Sequence, residues 1–242
     1  MEQLPFTALL NKYFGGIAMA VLHAFHLSPG NVRAPIPNFV AMQLLVAAFL
    51  IVLFVIVRSR LSVENPNGLQ HVAEGLHGFV TGQSQSVIGD HSEGFTPFLI
   101  ALALFILACN LIGLIPGFES PTATPAVTLG CGVCAFLYYH WQGFKHAGPK
   151  YLKHFLGPVW WLSPLMFPIE IFSNFARVMS LTIRLFANLF AGDMVTAVFL
   201  SLIPIGVPVV FLGLHIGVSL LQTYIFVLLT TIYLQEAVGG EG

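Results

Sequence analysis

The chain has 242 residues, of which 57% are hydrophobic and only 8% charged, with a mean hydropathy of +0.86 and a formal net charge of −1. Soluble domains carry roughly 25% charged residues, so this chain lacks the polar material to cover a globule in water, and lipid must cover it instead. The near-neutral balance argues against nucleic-acid binding, and no Gly-rich phosphate loop, metal cluster or nucleophile elbow points to chemistry on a soluble substrate.

In chain order, residues 1–38 form an N-terminal external segment. Residues 1–14 mix Glu2, Pro5 and Lys12, without the basic start, apolar run and small-residue cleavage site of a signal peptide. The apolar stretch 15–22 is too short to span and is followed by His23 and His26, so it belongs at the interface. An uncharged run at 39–57, ending at Arg58 and Arg60, is the first span. A polar stretch follows with Glu64, Glu74, Asp90 and Glu93; its middle, 69–88, is amphipathic and is expected along the membrane surface. Spans at 97–116 and 125–144 flank a loop rich in Pro, Ser and Thr. Tyr138, Tyr139 and Trp141 are expected as an interfacial belt. A basic loop at 145–154 and the pair Trp160 and Trp161 mark another interface. Two apolar stretches remain, 164–202 and 208–234, joined by Pro204-Ile-Gly-Val-Pro208, which cannot continue a helix.

From Pro168 to Pro204 a helix would cover about 54 Å, against a hydrocarbon core about 30 Å thick. The pair is therefore predicted to be a strongly tilted hairpin, with Gly192 as a candidate bend. The fold predicted is an all-α polytopic membrane protein, one membrane domain of about five transmembrane helices. Arg58, Arg60, Lys145, Lys150 and Lys153 fall on one side of that topology, and Lys12 and Arg33 on the other. The positive-inside rule then puts the N-terminus outside and the C-terminus in the cytoplasm, which agrees with an odd number of crossings. Cys131 and Cys134 stand in an apolar run with no second pair and no acidic or histidine ligand nearby. With Cys109 they read as small residues at helix contacts, and neither a metal nor a cofactor is expected.

Glu170, Arg177, Arg184 and Asp193 lie inside these last apolar stretches, with His215 and Gln222 on the returning helix. A charge at the bilayer centre costs at least about 2.5–3.5 kcal/mol, so membrane proteins keep such groups mainly for ion pathways or partners. Helical geometry puts Glu170, Arg177, Ser180, Arg184 and Asn188 on one broad stripe. Asp193 falls on the opposite face, about 13–14 Å beyond Arg184. Folding the hairpin about Ile205 brings Asp193 and His215 to similar depth, and Gln222 within about one turn of Arg184. Two polar groupings result: Glu170 with Arg177 toward the inside, and Asp193 with His215 toward the outside. Asp193 and His215 can exchange protons, whereas Arg184 cannot lose its own and stands between the groupings as a fixed charge. A barrier flanked by two relays conducts only if something carries the proton around it. A proton-coupled secondary transporter, holding an anionic substrate on Arg184, is the alternative, but such folds show internal repeats and none is visible. A structural scaffold would leave the separation of acidic and basic groups along the hairpin unexplained.

Ser180-Leu-Thr-Ile-Arg184-Leu-Phe-Ala-Asn188-Leu-Phe-Ala-Gly192-Asp193 resembles the signature of subunit a of F-type ATP synthases. The downstream His215, Gln222 and Phe226 are similar to that family's last helix in spacing. Asn110-Leu-Ile-Gly-Leu-Ile-Pro116 and residues 121–129 add to the match, which runs from about residue 36 to the C-terminus. The resemblance implies a proton-channel subunit packed against a ring of c subunits and joined to peripheral-stalk b subunits, while the loop-charge bias and the lack of a transit peptide point to a bacterial plasma membrane. The resemblance puts the nucleotide chemistry in other subunits and leaves the choice between H⁺ and Na⁺ to the ring's ion site, with H⁺ the default. It further implies that Arg184 faces the ring's carboxylate and blocks a direct leak, and that Asn188 and Gln222 orient Arg184. Asp193 and His215 would serve an outer half-channel and Glu170 an inner one, with Arg177 and Ser180 as polar neighbours. The chain departs from the pattern at Asp193, where many relatives have Glu, and at Gly113 and Thr124, where some carry acids. Glu119, His23, His26 and His91 read as loop or interfacial residues rather than substitutes.

Overall fold

The computed structural model describes residues 4–24, 35–59, 61, 68–115, 117–148, 151, 163–202 and 207–238. Among these the chain is all-helical: α1 (Pro5–Ala24), α2 (Asn38–Ser59), α3 (Gly68–Ile88), α4 (Thr96–Ile112), α5 (Pro125–Ala147), α6 (Ser163–Leu202) and α7 (Val207–Val238). Short 3-10 turns at Asp90–Gly94 and Pro121–Ala123 precede α4 and α5. Proline opens several of these helices, as Pro5 in α1, Pro97 in α4 and Pro125 in α5, because the first turn has no use for the missing N–H.

Among the described residues three helices are long and apolar enough to cross a bilayer, α2, α6 and most of α7, and α4 is a shorter apolar helix. Their outward surfaces carry large apolar side chains, among them Phe49, Val55, Phe172 and Phe175, which only acyl chains or a partner can cover favourably. The chain is a multi-pass membrane protein. Helix α6 has 40 residues, about 60 Å of helix, twice the hydrocarbon thickness, so it must lie steeply inclined or extend beyond the core.

The core joins four helices. Leu102 and Ile106 of α4, Cys131 and Ala135 of α5, Leu181, Leu185 and Leu189 of α6, and Phe226 of α7 form one buried cluster. Gly132 lets α5 and α6 approach closely, since a Cβ there would lie 2.9 Å from Thr182 Oγ1. Cys131 is part of this contact as a small residue, whereas Cys134 faces outward. Elsewhere, Leu4 and, from α1, Phe6 pack on Met42, Val46, Cys109 and Ile112. Val80 of α3 packs on Leu99 and Val227.

Several local details differ from the sequence reading. The stretch 15–22 belongs to a longer helix, α1, tied to the start of α2 where Asn11 and Ile36 exchange two hydrogen bonds. Helix α4 stops at Ile112, short of residue 116, because the chain turns at Gly113 against Ser120. Helix α7 continues past Leu234 to Val238. Tyr139 is no belt residue: it is buried, while Trp141, about 200° around α5, is exposed. Tyr138 stacks on Phe98 with ring centroids 3.7 Å apart. The hairpin joint at 203–206, the basic residues Arg33, Arg60, Lys150 and Lys153, and Trp160, Trp161 and His26 lie outside the described residues. So do the side chains of His23 and His91.

Candidate functional site

The pairing of α6 with α7 sets the register of the polar groups. Asn188 Nδ2 donates to Gln222 Oε1 at 2.7 Å, and His215 Nδ1 lies 3.7 Å from Asp193 Oδ1. These contacts are those of an antiparallel pair. Asp193 and His215 thus stand at one depth, and Gln222 stands one turn from Arg184. Gly192 continues the helix; its importance is contact, because a Cβ there would lie 2.9 Å from His215 Nδ1. The absent side chain is what lets the imidazole reach Asp193.

Arg184 is half-buried, and Nη2 donates to Ser180 Oγ at 3.3 Å. Among the described residues no carboxylate lies within ion-pair distance of it. Asn188 and Gln222 bond to each other rather than to Arg184. The surface beside it is an exposed stripe of α6, Ser180, Ile183, Ala187, Ala191 and Met194, whose small members leave room for a partner's helix.

At the end bearing the 113–124 loop, a buried polar thread joins three parts of the chain. Thr122 Oγ1 donates to Asn110 Oδ1 at 2.7 Å, and Asn110 Nδ2 reaches Thr223 Oγ1 at 3.4 Å and the Ser219 carbonyl at 3.5 Å. Ser120 and Thr122 share a hydroxyl contact at 2.9 Å. One turn from Ser219 is His215, and both Ser219 Oγ and His215 Nε2 are buried with no hydrogen-bond partner among the described residues. Buried polar atoms of this kind are ordinarily met by water. A cleft of about 250 Å³, lined by Asn188, Gly192, Thr196 and His215, opens between α6 and α7 at this level. Gly113 carries no acid here, and Ser120 occupies the space a side chain would need. Glu119 is exposed in the loop, accepting from Asn38 Nδ2 at 3.5 Å.

The opposite end holds a second cluster. Glu170 Oε1 accepts from Asn174 Nδ2 at 3.1 Å, and Asn174 Oδ1 accepts from the Tyr139 hydroxyl at 3.2 Å. Arg177 does not pair with Glu170. It forms a two-pronged ion pair with Glu236 of α7, Nη1 to Oε2 at 2.8 Å and Nη2 to Oε1 at 2.9 Å, and its guanidinium lies over the Tyr233 ring, 5.0 Å from the centroid. Asn174, Ser219 and Glu236 escaped the sequence reading, and Asn110 and Thr122 entered it only within the stretches that carry the resemblance, with no role given to either. An amide or hydroxyl in an apolar run signals little by itself, and Glu236 falls beyond the stretch read as helix.

Along α6, Glu170 and Asp193 are separated by roughly 34 Å of helix rise, comparable with the hydrocarbon thickness. Two polar clusters at that separation, with an isolated guanidinium between them, define a membrane subunit that translocates ions rather than one that turns over a soluble substrate.

The family model for the ATP synthase A chain matches residues 40–235. The chain is 55% identical to ATP synthase subunit a of Koribacter versatilis (strain Ellin345) over 237 residues, covering 98% of this chain and 97% of that one. It is 47% identical over 234 residues to the same subunit of Solibacter usitatus (strain Ellin6076), covering 96% and 100% respectively. Against that of Trichlorobacter lovleyi it is 38% identical over 213 residues, covering 88% and 90%. The chain belongs to the ATP synthase subunit a family, the proton-channel subunits of F-type ATP synthases. It is a non-catalytic, ion-translocating part of a membrane-embedded complex.

Proposed function

We propose that this chain forms two offset half-channels against a ring of c subunits and so couples transmembrane proton flow to ring rotation. The observation that carries this reading is Arg184: a permanent charge beside an outward face, with no carboxylate of its own among the described residues, between two polar clusters at opposite ends. A charge so placed in lipid needs a counter-ion, and a carboxylate on a passing partner helix supplies it. Protons enter through the Asn110–Thr122–Ser219 thread to His215 and Asp193 and pass to a ring carboxylate. The ring turns nearly full circle. Near Arg184 the positive charge favours the ionised form of that carboxylate, so its proton leaves toward Glu170. Arg184 cannot relay a proton itself and closes the direct route. Asn188 and Gln222, bonded to each other, form the polar wall one turn from it.

In this reading the thread opens outside a bacterial plasma membrane, and the Glu170 end faces the cytoplasm. The N-terminus lies outside and the C-terminus inside. Peripheral-stalk b subunits hold the chain static while the ring moves. The ion is H⁺, which a histidine and a carboxylate along the path can each take up and release.

The test is proton flux in vesicles holding the assembled complex, native against Arg184→Ala, with and without ATP. ATP-driven pumping is expected to vanish while passive leak persists or rises. Pumping that survives would make Arg184 a structural charge only.

A further inference from the structure

Glu236, in the last turn of α7, has no part in the proton path described above, yet it takes both arms of Arg177. Glu170 faces the same cleft as this pair, together with Asn174, Tyr139 and Tyr233. Glu170 and Arg177 are seven residues apart, hence on one face of α6 and about 10.5 Å apart in rise, a gap that an extended arginine and glutamate can close together. Arg177 is therefore the cation within α6 best placed to capture Glu170. In the structure it does not: Glu236 holds the guanidinium, Tyr233 lies beneath it at 5.0 Å, and Glu170 is left with an uncharged donor, the Asn174 amide.

The difference matters to a relay. A carboxylate gripped by a guanidinium is held ionised and immobile, with its oxygens occupied. One bonded to a neutral amide keeps an oxygen free to take a proton from the ring side and give it to water. We propose that Glu236 is a positioning residue for proton exit: by sequestering Arg177 it keeps Glu170 free to exchange protons. This rests on the reading of Glu170 as the inner relay. Removing the charge of Glu236 leaves Arg177 half-buried without a counter-ion, and such a charge seeks the nearest carboxylate.

The experiment compares four variants in membranes holding the assembled complex, normalised to the amount of complex present. The readouts are ATP-driven pumping and passive proton flux after removal of the soluble catalytic sector. Glu236→Gln is expected to lower passive flux about fivefold or more, because Arg177 then captures Glu170. The double variant Arg177→Gln/Glu236→Gln removes captor and clasp together and is expected to recover most of that loss. Glu236→Asp, which keeps the charge, is expected to fall between Glu236→Gln and native. A double variant as slow as Glu236→Gln would mean that the pair merely staples α6 to α7, and the proposal falls. Native flux in Glu236→Gln would overturn it equally. Glu170→Gln separates the two levels: impaired flux there with native flux in Glu236→Gln sinks only the role of Glu236, whereas native flux in Glu170→Gln removes the inner relay and this proposal with it.

Discussion

Gly192→Ala places the smallest possible side chain where the structure leaves none. The new Cβ would start 2.9 Å from His215 Nδ1 and 3.2 Å from Cε1, whereas ordinary contact between such atoms is about 3.5–4.0 Å. The neighbour that must yield is an aromatic ring, itself only 5% exposed, and the room open to it is the cleft that it and Gly192 line. A displacement on the order of 0.5–1 Å restores contact. His215 Nδ1 stands 3.7 Å from Asp193 Oδ1, already longer than a hydrogen bond, so a proton crosses between them through water and a shifted ring disturbs that bridge. Overpacking of this kind costs about 1–3 kcal/mol. If about 1.4 kcal/mol of it falls on the transfer step, the rate drops about tenfold. The assay is ATP synthesis driven by an imposed proton gradient, with passive flux measured in parallel. Both should fall together, without a rise in leak, because Arg184 lies two turns away and is untouched. Native rates in Gly192→Ala, in a complex assembled to the native level, would refute both the His215–Asp193 contact and the role given to Gly192.

Arg184→Lys is expected to be nearly as damaging as Arg184→Ala, because lysine lacks the planar fork and can lose its proton. Coupled pumping near the native rate in the Lys variant would contradict the role given to Arg184. Asp193→Asn is expected to slow passive flux and ATP synthesis in proportion, leaving the ratio of ATP made to protons passed unchanged. Unchanged flux would take Asp193 out of the path.

Composition was enough to assign the membrane, since a chain with so few charges has no other solvent that suits it. The cost of burying charge then singled out the ionisable residues of the last two helices. A tight turn between two long helices dictates an antiparallel register, and from it the closeness of Asp193 to His215 and of Asn188 to Gln222 can be counted residue by residue. The outward placement of Arg184 was legible in part, because helical period assigns it to the stripe of Ser180 and Asn188.

Contacts to helices distant in the chain were not legible. Period states which residues share a face, but not which neighbour presents itself to that face. Arg177 and Glu170 share a face and were grouped together, yet packing brought the end of α7 alongside and gave Arg177 to Glu236. Tyr139 was assigned to an interfacial belt by its residue type, and burial against α6 turned its hydroxyl to Asn174. Asn110 and Thr122 are ordinary polar residues in their local sequence. They became a buried thread because α4, the turn before α5 and α7 converge. The sequence by itself determined the solvent, the long apolar helices and the depth of each charge along its own helix, since these follow from local composition and a fixed rise per residue. Only the tertiary structure decided the partners of those charges, because partnership depends on helix packing, a balance of shape and contact summed over the whole bundle.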